Sequence, residues 1–157
     1  IIDMELYQEL VKKSITSFRT ADHLTYVTFP LIRETKLILT ILDNINLSLT
    51  NAMNAALEYE KYYKRIMSIP DHFDLKYALF EDKLINKYNI LKKEAQLIHQ
   101  IHHILESHKQ SPIEFSRRDK FVICNHNYQM KTITIPEVKE FLSQTRTIIT
   151  KITKGIK

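Results

Sequence analysis

The run ILTILDNINLSLTNAMNAALEYEKYYKRI, residues 38–66, decides how this chain folds. Ile38, Leu42, Ile45, Leu49, Ala52, Ala56, Tyr59, Tyr63 and Ile66 recur at alternating steps of four and three, and none is charged. Side chains at those steps share one face of an α-helix, so the run predicts a long amphipathic helix with a coiled-coil-like stripe. No Gly or Pro interrupts it. At 1.5 Å per residue such a helix reaches roughly 45 Å, too long to stand in water without partners along its length. Ala52, Ala55 and Ala56 at its middle leave room for a close neighbour.

Stripes of matching period lie on both sides of this run. Tyr7, Val11, Phe18, Ala21 and Thr25 predict a first helix from about Asp3 to Ile32, closed by a tight turn at Arg33–Thr35. The alternative ends it earlier and starts the second helix at Pro30. Either way the link is short, and the first two helices form an antiparallel hairpin. The second helix should end near Met67, before Pro70, with Asp74 as the next N-cap. A third helix is predicted from about Leu75 to His108 or Lys109, on the seam Leu84, Tyr88, Leu91, Ala95, Ile98, His102 and Leu105. A second row, Ile90, Leu97, Ile101 and Ile104, widens its buried face.

After Ser111-Pro112 the period changes to alternation. Residues 113–124 are rich in strand formers around Arg118-Asp119, and Met130 to Ile133 can add a third short strand. This predicts a β-hairpin or meander over about 113–134. Thr134, Pro136 and Glu137 then form a helix-start signal, and Val138, Leu142, Thr145, Ile149, Ile152 and Ile156 mark the last helix. The expectation is one mainly α domain over residues 1–157, an up-down bundle of about four long helices with a hairpin inserted before the last.

Composition narrows the function. The only glycine is Gly155, which excludes Gly-rich phosphate loops, dinucleotide fingerprints and nucleophile elbows. The lone Cys124 excludes an intrachain disulfide and suits the reducing cytoplasm, where we expect the protein to act. No apolar run approaches the roughly 20 residues that span a bilayer, so no membrane partner is expected. No cofactor motif is present. The net charge of +5 is unevenly placed: residues 1–67 and 68–112 are each neutral, while residues 113–157 hold nine basic and four acidic side chains.

That surplus makes the C-terminal region the first candidate site. Arg117, Arg118 and Lys120 flank one predicted turn, His126, Tyr128 and Lys131 the next, and Arg146, Lys151 and Lys154 lie on the last helix. Cations there can neutralise phosphates, and Tyr and Asn can stack on or bond to exposed bases. A second candidate is His99, His103 and Glu106, each about one helical turn from the next, which could offer two imidazoles and a carboxylate to a divalent metal. The bland alternative is a polar edge flanking a core.

A third candidate is the pair Arg65 and His72, with six residues between them. This spacing resembles the Arg–spacer–His signature of the HEPN superfamily, helical bundles that include RNA-cleaving toxins and non-catalytic partners. The resemblance covers eight residues and the bundle architecture. Ile66 stands where that family usually has a polar residue, and Pro70 falls between the pair. It implies phosphate stabilisation by Arg65 and general acid–base work by His72.

The reading is therefore a non-enzymatic adaptor that binds a protein partner or self-associates, with its basic end on nucleic acid, RNA before DNA, or on an acidic protein. The alternatives are a HEPN-like ribonuclease or inactive toxin–antitoxin component, and a homo-oligomeric structural protein.

Overall fold

The computed structural model describes the backbone over residues 2–110, 113–117, 120–124 and 129–156, and side chains over 5–109, 120–124 and 129–156. Helix α1 (Ile2–His23) continues through a π-helical turn, Leu24–Thr28, into the single turn α2 (Phe29–Ile32). The wide turn lies just before Pro30, whose ring would clash with the carbonyl four residues back and which has no N–H to donate. Buried Thr25 donates its hydroxyl to Ala21 O at 2.7 Å. Arg33, at φ 53°, stops the helix, with its N–H on Phe29 O at 2.7 Å. The predicted tight turn after Ile32 is present.

The quoted run forms α3 (Leu37–Tyr62). It lies against α1 as an antiparallel hairpin, with Ser14 beside Ser48 and Tyr7 beside Tyr59. The approach is close because the seam is small there. Ser14 Oγ donates to Ser48 O at 2.7 Å and Ser48 Oγ to Ser14 O at 2.8 Å, both within the buried interface.

The helix ends at Tyr62 rather than near Met67, so Tyr63 and Ile66 lie outside it. Lys64 adopts φ 59°, Arg65 N–H reaches back to Glu60 O at 2.8 Å, and Lys64 N–H to Lys61 O at 2.9 Å. This is the paired-bond C-terminal motif that usually takes glycine.

The predicted third helix is two. Helix α4 (Phe73–Lys83) and helix α5 (Lys92–Gln110) are separated by a link in which Asn89 takes φ 57°. Ile90 N–H bonds to Ile85 O and Asn89 N–H to Asn86 O, the same stop as after α3. Asn tolerates this conformation well. Leu84, Tyr88 and Ile90 stay buried in the link, whereas the seam member Leu91 is exposed. The N-cap of α4 is His72, whose Nδ1 accepts Asp74 N–H at 3.4 Å, so Asp74 is a first-turn residue and not the cap.

Strands β1 (Ile113–Arg117), β2 (Lys120–Cys124) and β3 (Met130–Thr134) form an antiparallel meander. Ile123 pairs with Lys131 and Phe121 with Ile133, so these four share one face. Phe121 meets the His108 ring of α5 on that side. Helix α6 (Ile135–Gly155) starts at Thr134, whose hydroxyl accepts Glu137 N–H at 3.3 Å. Its predicted seam is buried through Ile152.

Helix α3 is the hub, touching α1, α5 and α6, and Ile38, Ile41, Leu42, Ile45 and Leu49 on it are fully buried. The one glycine has a packing reason: a β-carbon at Gly155 would overlap the Tyr88 ring. Among the described residues, no helix is long and apolar enough to cross a membrane.

Candidate functional site: a polar cleft between α4, α5 and the sheet

Helix α5 buries Ile98, Ile101 and Leu105 against the bundle, which leaves the opposite stripe free. That stripe is mostly polar: Lys92, Gln96, His99, Gln100, His103 and Ser107 follow one another at steps of one to four residues and, with the apolar Ile104, form one wall of an open cleft of about 980 Å³. A second wall is α4, through Asp74, Tyr77 and Glu81. The third is the sheet, through Ile123, Gln129, Met130 and Lys131. From residue 92 to 107 the stripe is about 22 Å long at the helical rise.

The three neighbouring histidines divide by environment. His102 points into the wall, where its ring stacks on Phe73 with centroids 3.6 Å apart and planes 9° apart. Burial lowers its pKa, against a smaller upward pull from Glu106 and Asp74, which keeps it neutral at pH 7. His99 and His103 line the cleft instead. Their rings are stacked nearly parallel, 7° apart, with centroids separated by 6.3 Å. The His99 ring also lies 5.4 Å from that of Tyr77, and its Nε2 is 3.9 Å from Asp74 Oδ1. Tyr77 donates its hydroxyl to Glu81 at 2.9 Å; burial first, and then that carboxylate, push the phenol well above its usual range.

Glu106 does not join His99 and His103. Its carboxylate is 3.3 Å from Lys109 Nζ, and among the described residues no three His, Cys, Asp or Glu side chains converge as a metal site.

Arg65 and His72 each have a local role. The Arg65 guanidinium binds Glu60 through Nε at 2.8 Å and Nη2 at 3.2 Å, and lies over the Tyr63 ring. His72 caps α4.

The basic candidates are dispersed. Lys151 bonds to Glu94 at 2.7 Å and ties α6 to α5. Burial would raise the Glu94 pKa, but Lys151 and the Leu91 N–H outweigh it and hold the carboxylate below its usual range. Arg146 stands 3.6 Å from Asp22 and over the Phe18 ring. Lys131 is 3.6 Å from Glu137 yet lines the cleft. Lys120 and Lys154 are exposed. Arg118, His126, Tyr128 and the Arg117 side chain lie outside the described residues.

Of the residues singled out from the sequence, then, His99, His103 and Lys131 meet in one place. Lys92, Gln96, Gln100 and Tyr77 were missed. Their signal was the helical period read for polar rather than apolar side chains.

A smaller groove, about 470 Å³, runs between α1 and α6 with Phe18 and Ile149 in its lining and Tyr26 and Val27 exposed beside them. Comparison with protein-family models, with curated proteins and with solved structures finds no match.

Proposed function

We propose that the protein is a cytoplasmic, non-enzymatic binding module of the adaptor kind, and that the cleft between α4, α5 and the sheet receives a segment of single-stranded RNA. The observation that carries this reading is the polar stripe of α5, a row of amides and imidazoles about 22 Å long with Lys92 at its start and Lys131 on the facing sheet. Single strands are held by cations that follow the backbone, by planar side chains under the bases, and by amides at base edges. The cleft supplies all three. Its two carboxylates, Asp74 and Glu81, are both on the α4 wall, and Glu81 is engaged by Tyr77. The strongly basic 113–157 region would extend the electrostatic footprint past the cleft.

An adaptor is preferred to a HEPN-like ribonuclease because Arg65 and His72 have hydrogen bonds of their own to Glu60 and to the Asp74 amide. The Arg65 guanidinium is engaged by Glu60 through Nε and Nη2, and the His72 ring caps α4 through Nδ1.

The test is fluorescence anisotropy of a labelled RNA of about twelve nucleotides, titrated at several salt concentrations. Affinity should fall with salt. Lys92→Glu and Lys131→Glu should each weaken binding and reduce the salt slope by about one, and reversal of Arg117, Arg118 and Lys120 should weaken it further. Affinity that ignores salt, or survives the reversals at Lys92 and Lys131, overturns the RNA reading. Tighter binding of a glutamate-rich peptide than of RNA would assign the cleft to an acidic protein.

A further inference from the structure

His99 and His103, one helical turn apart on α5, present nearly parallel rings to the cleft. Stacked nucleotides rise about 3.4 Å each, so a planar base held between two other planes needs them about 6.8 Å apart. The centroids of the two imidazoles stand 6.3 Å apart and their planes are within 7° of each other. A base can enter only if the rings come face to face and part to that separation, which calls for a side-chain adjustment. His99 can make such a movement, because its side chain is half exposed and its carboxylate neighbour Asp74 is 3.9 Å away, beyond hydrogen-bond distance.

We infer that His99 and His103 form a slot for a single nucleobase, entered from the cleft. The inference rests on the RNA reading above and names the part of that site which holds a base. The surroundings suit a base better than other flat groups. Tyr77, which also lines the cleft, meets the His99 ring at 45° with centroids 5.4 Å apart. Gln96 and Gln100 lie on the same stripe of α5, so their amides, each both donor and acceptor, stand beside the slot where the edge of a base would be. Lys92 and Lys131, lining the same cleft, are the cations for the flanking phosphates. His102 cannot take part, because its ring face is already covered by Phe73 at 3.6 Å. The slot adds affinity through stacking, which is tolerant of base identity, so it predicts occupancy by any base with purines favoured for their larger face.

Two measurements test it. In the first, the labelled RNA is compared with an abasic chain of the same length and charge. The abasic chain should bind about tenfold more weakly. His99→Ala and His103→Ala should abolish that difference, while His99→Phe and His103→Phe should retain it because a ring is kept. Both positions are exposed, so the variants should fold as the parent does, which circular dichroism checks. Equal affinity for the two chains overturns the slot and leaves the RNA reading standing; no binding of either chain overturns the RNA reading. In the second, adenosine monophosphate alone is titrated and the histidine ring protons are followed by NMR. Ring-current shifts at His99 and His103 and none at His102 support the slot whatever happens with RNA. Unmoved signals at His99 and His103 overturn it.

Discussion

Glu60 is the most informative residue to perturb. Its side chain is 3% exposed and accepts four hydrogen bonds: from Arg65 Nε at 2.8 Å and Nη2 at 3.2 Å, from Lys87 Nζ at 2.6 Å, and from the Tyr88 hydroxyl at 3.3 Å. Burial alone would raise its pKa, but the bonds from Arg65 and Lys87 outweigh burial and hold the carboxyl below its usual value. Glu60→Gln keeps the shape and removes the charge, turning an amide N–H₂ toward donors. Breaking a fully buried pair costs about 3–5 kcal/mol. Here the cations are 44% and 39% exposed, so water can take them back. That discount leaves about 2 kcal/mol at pH 7, or a fall in melting temperature of about 4–8 °C for a chain of this length.

The same shift sets the pH dependence. A carboxyl with a lowered folded pKa stabilises the fold above its unfolded pKa, near 4.3, and that stability is lost as pH falls through the folded value. The gap between parent and Glu60→Gln should therefore be full at pH 7 and close progressively below about pH 4. Urea unfolding of both proteins at a series of pH values measures it. A gap that stays constant into acid, or no gap at pH 7, refutes the reasoning.

Two further outcomes follow from packing. Gly155→Ala should lose about 1–3 kcal/mol by overpacking, because the added carbon meets Tyr88; thermal unfolding of the variant checks this. Ser14→Ala and Ser48→Ala should each cost about 1 kcal/mol, and a double-mutant cycle by urea unfolding should show the two effects to be non-additive, since each hydroxyl donates to the other residue's carbonyl.

The helix period of the sequence was enough to place α3 and α6, because their buried stripes run unbroken over many turns. It did not reveal the breaks at Lys64 and Asn89. At each, a residue with φ near 60° turns the chain, and glycine, the usual marker of such a stop, is absent there. The apolar rhythm also continues across Asn89, since Leu84, Tyr88 and Ala95 are buried on both sides of the stop. Charge was legible as a sum but not as pairs. The surplus on the last helix looked free in the sequence, yet Lys151 and Arg146 face Glu94 and Asp22, which lie far away along the chain. The histidines were singled out for metal binding with Glu106. That grouping failed because Glu106 faces Lys109, whereas the sheet and α4 bring other partners to His99 and His103.

The break that the sequence concealed is also what creates the cleft. In a continuous helix, Tyr77 and His99 would stand about 33 Å apart at 1.5 Å per residue. In the fold their rings are 5.4 Å apart, and Phe73 stacks on His102, so α4 has folded back along the start of α5. The link that allows this is held at Lys87 and Tyr88, and both bond to Glu60 at the end of α3. One buried carboxylate thus fixes three things together: the C-terminal stop of the central helix, the reversal between α4 and α5, and through that reversal the wall that faces His99. The charge-neutral scaffold around the quoted run therefore does more than support a basic tail, because its last turn places the cleft.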